Sequence, residues 1–341
     1  STFVNNLITY LIVIVAFVAV TLLQNGGMIS RSLKGQLVPI CVYIVMAVSL
    51  NLVVGISGEL SLGHAGFMSV GAFAGAIFCM ATQDGIADPT VRLILGMLVG
   101  GVFAGIMGVI VGVPVLRLQG DYLAIVTLAF GEIIRNVLNC VYVSNDAGQL
   151  YFGFNNPSLP GKLIVNGPQG AQGLTRISTF TMGFCLIMFT LIVVLNLINS
   201  RSGRAMMALR DNRIAAESVG ISVKRLRYMA CVAGGMLVGL GGAVLSTGIL
   251  SQFTENMTDG RGFIALAAVT FGKYTPFGTL GGVIVFGIGE TLSYRLQAGG
   301  GAFPYEFALM LPYVLTVLAL CVFSRNAKDP AALGVPYYKS H

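Results

Sequence analysis

The stretch SRSGRAMMALRDNRIAAESVGISVKRLRY, residues 200–228, decides the fold. Seven basic residues stand in it: Arg201, Arg204, Arg210, Arg213, Lys224, Arg225 and Arg227. Only Asp211 and Glu217 oppose them. Long apolar runs flank it on both sides, so it reads as a charged connection between two membrane spans. Lys and Arg are retained on the cytoplasmic side. The island therefore orients the whole chain and offers a charged surface to a partner inside the cell.

Composition agrees with a membrane setting. The chain has 341 residues, of which 10% are charged, against about 25% in a soluble domain. It holds 45 glycines and no tryptophan, and its mean hydropathy is +0.85. Apolar runs long enough to cross a hydrocarbon layer of about 30 Å recur along it. They are continuous rather than alternating, which excludes a membrane β-barrel. The net charge of +7 sits at span ends and in one loop, so no nucleic-acid partner is expected. Cys41, Cys79, Cys140, Cys185, Cys231 and Cys321 all fall in apolar runs and form no CxxC pair. They read as buried small hydrophobes, not as a disulfide or metal framework. The first run, 7–23, lacks a basic flank and a cleavage site, so it reads as a retained span.

The expected fold is all-α: a polytopic membrane protein of about ten transmembrane helices with Gly-interrupted segments. Spans are predicted at 7–23, 36–55, 59–81, 91–116, 121–143, 177–199, 225–250, 260–277, 278–297 and 305–323. The third and eighth are broken by glycine and suit half-helices. Residues 1–324 form the membrane domain, with 200–224 as a cytoplasmic loop, 144–176 as an external loop and 325–341 as a cytoplasmic tail. This orientation puts twelve Lys and Arg inside and seven outside, with Arg135 in a span. Loop 144–176 has no helical apolar period. Asn155, Asn156, Pro157, Pro160, Gly161, Gly167, Pro168, Gly170 and Gly173 mark its turns. It is either a plain connection or a surface for an external solute-binding protein.

Glycine writes the helix packing. Gly101, Gly105, Gly108 and Gly112 share one helical face, as do Gly235, Gly239 and Gly242, and small residues let backbones approach.

Catalytic motifs are missing. No GxxxxGK[ST] is present; Gly272-Lys273-Tyr274 lacks the preceding Gly and the hydroxyl residue. HExxH and GxSxG are absent, and His64 and His341 are the only histidines. No enzyme activity, cofactor or metal is expected. Glu132 and Arg135 stand three apart on one predicted span, which suits a structural ion pair. Neutralising one alone is expected to cost roughly 3 kcal/mol. No chain of acids crosses the membrane, which counts against a secondary carrier.

Two sets of candidate functional residues follow. The island reads as a short surface helix, with Met206, Arg210, Arg213 and Glu217 on one face. Ala205, Ala208, Leu209, Asn212 and Ala216 lie on the other, small enough to sit in a partner's groove. Gly203 and Gly220 permit the turns at its ends. The expected docking set is Gly203, Arg204, Ala208, Arg210, Arg213, Ala216, Glu217 and Gly220. The second set comes from the two Gly-broken segments, 58–71 and 260–282, the best sequence pointer to a substrate path. There Ser61, Gly63, His64, Gly66, Thr270 and Gly272 are the candidate path residues.

GELSLGHAGFMSVGAF (58–73), RLQGDYLAIVTLAFGEIIRNVL (117–138) and GRAMMALRDNRIAAESVGISVKRLRYMA (203–230) resemble permease subunits of bacterial branched-chain amino acid ABC importers. The likeness covers about 36–250. It implies that the island is the coupling helix, where transport is linked to ATP hydrolysis. It also implies a second permease subunit, two ATP-binding cassette ATPase subunits, an external solute-binding protein and a place in the bacterial inner membrane. The last quarter departs from that pattern. GRGFIALAAVTFGKYTPFGTLGGVIVFGIGETLSYRLQ (260–297), LMLPYVLTVLAL (309–320) and PAALGVPY (330–337) resemble nucleoside-type permeases of the same superfamily. The resemblance therefore implies transport of branched-chain amino acids, with nucleosides or simple sugars as the alternative. The longer amino-acid likeness favours the former.

Overall fold

The computed structural model describes residues 2–27, 31–83, 85–118, 120–146, 149–154, 159–167, 170–172, 177–248, 252–253 and 261–298, with isolated positions between 307 and 321. The tail 325–341, most of span 305–323 and the turn markers Asn155, Asn156, Pro157, Pro168 and Gly173 lie outside the described residues.

Eleven helices are described: α1 (Thr2–Asn25), α2 (Arg31–Asn51), α3 (His64–Ala81), α4 (Pro89–Val115), α5 (Asp121–Asn139), α6 (Phe180–Asn199), α7 (Arg201–Asp211), α8 (Arg213–Ser218), α9 (Val223–Gly248), α10 (Arg261–Phe271) and α11 (Pro276–Ala298). Five strands, β1 (Val141–Asp146), β2 (Gln149–Phe154), β3 (Lys162–Asn166), β4 (Ala171–Gln172) and β5 (Gln252–Phe253), form one antiparallel sheet in the order β2-β1-β3-β4-β5.

Among the described residues, seven helices are long and apolar enough to cross a membrane: α1, α2 with the turn that follows it, α3, α4, α5, α6 and α9. The segment 260–277 is not a full span. Its helix α10 has 11 residues, about 16 Å at 1.5 Å per residue, half a hydrocarbon layer. The expected span 121–143 also ends early, because the chain turns into β1 at Val141. The β-branched Val141 and Val143 fit a strand, and both are buried in the sheet. The expected loop 144–176 thus carries most of a small sheet, with Gly161, Gly167 and Gly170 in the left-handed region at its turns.

The buried centre is formed by α2 and α9, against which α3, α4, α6 and α10 pack. The first helix is peripheral; it meets α6 through Phe17, stacked at 4.0 Å on Phe184. The predicted glycine faces are packing seams. A Cβ on Gly101, Gly105 or Gly112 would run into Leu240, Met236 or Tyr228 of α9. Gly71 meets the backbone of Gly239 so closely that a Cβ would lie 2.3 Å from its oxygen. The six thiols are free, but Cys140, Cys185 and Cys321 are exposed, so the buried reading is corrected for half of them. Cysteine tolerates the lipid-facing surface of an apolar helix as well as its core.

The sheet and the island occupy opposite ends of the bundle. α5 runs from Gly120 to the start of β1, α6 from the end of the sheet region to α7, and α9 from the island back to β5.

Candidate translocation site

Between α2 and α3 the helix is broken. Leu52–Ile56 form a π-turn, a widening that recurs at functional places in helices. Asn51 and Gly55 explain it locally. The Asn51 side chain fills the position a Cβ on Gly55 would take, 2.0 Å from its Oδ1. Gly58 then reverses the chain at φ +75°. Residues 57–63 are not α-helical, and α3 starts only at His64.

That start lies inside the bundle. The Leu62 N–H donates to Thr127 Oγ1 at 3.1 Å, six residues into α5 or about 9 Å along its axis. The start of α10 meets it there: a Cβ on Gly262 would touch Ala65 at 3.3 Å. From this junction α3 runs towards the sheet end and α10 towards the island end. The first turn of α3 and the first described turn of α10 thus lie side by side.

A cleft opens at this junction, lined by α3, α5 and α10. Gly66 and Ser69 line it from α3, Glu132 and Arg135 from α5, and Gly262 and Phe263 from α10. Glu132 and Arg135 are in contact at 3.0 Å, with Glu132 50% and Arg135 30% exposed.

The other candidate path residues divide. Ser61 and Gly63 line a neighbouring apolar cavity with Thr127 and Phe67. His64 faces neither space. It is buried, with no hydrogen-bond partner on either ring nitrogen, and it packs beside Gly234. Thr270 is turned onto its own helix, donating to Leu266 O and Ala267 O. Gly272 sits at the far end of α10, where Lys273 and Tyr274 hold positive φ. Sequence spacing joined Thr270 and Gly272 to the path. The helix rise carries them about 12 Å and about 15 Å away from Gly262.

At the island the expected single helix is two. Asn212 leaves helical geometry at φ −155°, ψ 105°, ending α7, and its side chain caps α8 by accepting from Ala215 N at 3.1 Å. Asn is a strong N-cap, which is why the chain breaks there. The break reassigns the faces. Leu209, Ala216 and Val223 form a small buried cluster, so the Ala216 side chain packs inside this chain. Gly203 packs against the end of α6, where a Cβ has no room. Arg204 donates to Asn199 O, and Arg213 pairs with Glu217 at 3.1 Å. Ala208 O accepts from Asn212 N, and Gly220 turns the chain at φ +84°. Ala208 and Glu217 are exposed, and the large apolar side chains that face outward here are Ile214, 82% exposed, and Val219, 75% exposed. An apolar residue in a charged loop was the available signal for them.

Two arginines tie the island to the broken segment. Arg210 Nη1 donates to Gly55 O at 2.6 Å. Arg227, only 3% exposed, pairs with Glu59 and also donates to Leu116 O and Leu118 O. Partners 155 and 168 positions apart leave no local pattern to read.

A polytopic helical bundle in which α3 and the short helix α10 come together beside a cleft with polar groups suits a membrane permease. The chain belongs to the family described as branched-chain amino acid transport system / permease component, whose pattern matches residues 32–320. It is a multi-pass protein of the inner membrane, and its relatives are permease proteins of ABC transporters. It is 30% identical over 293 residues to the guanosine ABC transporter permease protein NupQ of Bacillus subtilis, covering 83% of this chain and 89% of that one. The nucleoside ABC transporter permease protein NupC of Lactococcus lactis is 29% identical over the same shares. The high-affinity branched-chain amino acid permease protein LivM of Escherichia coli is 29% identical over 72% of this chain and 59% of its own length. No solved structure matches the chain. NupQ and NupC match over larger shares of both chains than LivM of Escherichia coli does. The expected precedence of branched-chain amino acids is not supported.

Proposed function

We propose that this chain is the permease subunit of an ATP-binding cassette importer that passes nucleosides across the inner membrane. The carrying observation is the match to nucleoside permeases over most of both chains, joined to a mid-layer cleft with polar groups. The chain has no P-loop, so ATP would be hydrolysed by two partner ATPase subunits. A second permease would complete the path, and an external solute-binding protein would deliver the cargo. On this reading the island is cytoplasmic, the sheet is external and the chain crosses about ten times.

The ATPase would dock on α7 and α8 through Ile214 and Val219, with the surrounding arginines orienting it. Branched-chain amino acids are the second reading, favoured by the likeness to LivM. Uptake of labelled guanosine and labelled leucine by vesicles carrying the complete complex separates the two. Guanosine uptake that depends on ATP supports the proposal; leucine uptake without guanosine uptake reverses it.

A further inference from the structure

We infer that the Glu132–Arg135 pair is the polar contact a nucleoside makes as it passes the cleft between α3, α5 and α10. The inference rests on the nucleoside-importer reading above. Glu132 lies eleven residues into α5, about 16 Å along the helix, which is mid-layer depth. Ionised side chains there are costly against lipid, and they face a polar cavity or a polar partner. Both members of the pair are substantially exposed, and both line the cleft.

The cleft chemistry suits a neutral, ring-bearing solute. The carboxylate of Glu132 accepts hydrogen bonds from ribose hydroxyls. The guanidinium of Arg135 donates to carbonyl or ring-nitrogen acceptors of a base. Phe263, in the first turn of α10 and 53% exposed, lines the same cleft and offers an aromatic face for base stacking. The Ser69 hydroxyl donates to Gly66 O at 2.7 Å, which leaves its oxygen as an acceptor. A neutral solute engages the pair without replacing either ion, so it is held weakly enough to leave, as conduction demands. A zwitterion would compete for both charges at once.

The test uses the complete complex in proteoliposomes, with labelled guanosine uptake, ATP hydrolysis and thermal midpoint measured for each variant. Glu132→Gln and Arg135→Gln should each lower guanosine moved per ATP by about tenfold, the scale of one charge-assisted hydrogen bond. The double variant should keep a near-normal thermal midpoint and still transport poorly. Phe263→Leu should transport poorly while Phe263→Tyr retains transport, because only the latter keeps an aromatic face. A double variant that transports like the unaltered complex would show a purely structural pair and overturn the inference. So would loss of leucine uptake with guanosine uptake intact. If the unaltered complex drives neither solute with ATP, the importer reading fails and takes this inference with it.

Discussion

Arg210 of α7 and Gly55 of the π-turn are joined by a hydrogen bond of 2.6 Å from Nη1 to the carbonyl oxygen. The stem of Arg210 also lies against Gly58, where a Cβ would come within 2.7 Å of its Cγ. The carbonyl of Tyr274, in the turn after α10, lies 3.0 Å from where a Gly55 Cβ would stand. Both broken segments and the island therefore meet around Gly55.

The first prediction concerns that link. In the assembled importer, Arg210→Met should leave ATP hydrolysis in place while transport per ATP falls about fivefold or more, within the usual range of coupling energies. Arg210→Lys keeps the charge but not the reach of the guanidinium fork, and should fall between the two. Simultaneous uptake and phosphate-release assays measure the ratio. An unchanged ratio in Arg210→Met would remove the link from the coupling route.

The docking surface gives the second. Ile214→Asp combined with Val219→Asp should abolish co-purification of the ATPase. Both side chains are exposed, so thermal stability of the permease should change by only about 0.5 kcal/mol per site. Ala216→Leu should do the opposite, destabilising the fold by about 1–3 kcal/mol through overpacking, because Ala216 is buried. Pull-down and thermal unfolding in detergent separate these effects. Retained ATPase binding by the double aspartate variant would move the docking face elsewhere.

Arg227 supplies the third. Arg227→Gln leaves the Glu59 carboxylate without its guanidinium in a buried place and should destabilise by about 3–5 kcal/mol. Adding Glu59→Gln should recover part of that loss. A double-mutant cycle in thermal stability measures the interaction, and simple additivity would argue against the pairing.

The glycine seam is the fourth. A Cβ on Gly239 would lie 2.4 Å from the Ala104 Cβ and 2.9 Å from Gly100 O. Gly239→Ala should therefore force α4 and α9 apart and cost about 1–3 kcal/mol. Gly281→Ala is the control, because nothing lies within 4 Å of that position. Equal thermal midpoints for the two variants would contradict the seam.

Sidedness is the fifth. With the native cysteines replaced, Ser202→Cys should resist an impermeant thiol reagent on intact cells, and Tyr151→Cys should react. Labelling of Ser202→Cys from outside would invert the orientation proposed for the sheet and the island.

The sequence alone determined the class of the molecule and its helical scaffold. Apolar run length and continuity are local properties, and a lipid environment leaves a helix as the structure such runs can form. Glycine spacing in α4 and α9 likewise marked the packing faces, since a face is set by the helical period. Glu132 and Arg135 stood three apart, so their contact was also legible. Tertiary structure alone decided what these parts do together. It split 203–220 at Asn212, because a capping side chain outweighed a continuous helical pattern. It buried Ala216 and turned Ile214 outward. It placed His64 beside Gly234 and left it out of the cleft, and it brought Phe263 and Glu132 to line one cleft. Those assignments depend on which helix lies against which, and on contacts between residues more than a hundred positions apart, such as Arg210 with Gly55 and Arg227 with Glu59. Periodicity within one segment carries no record of them.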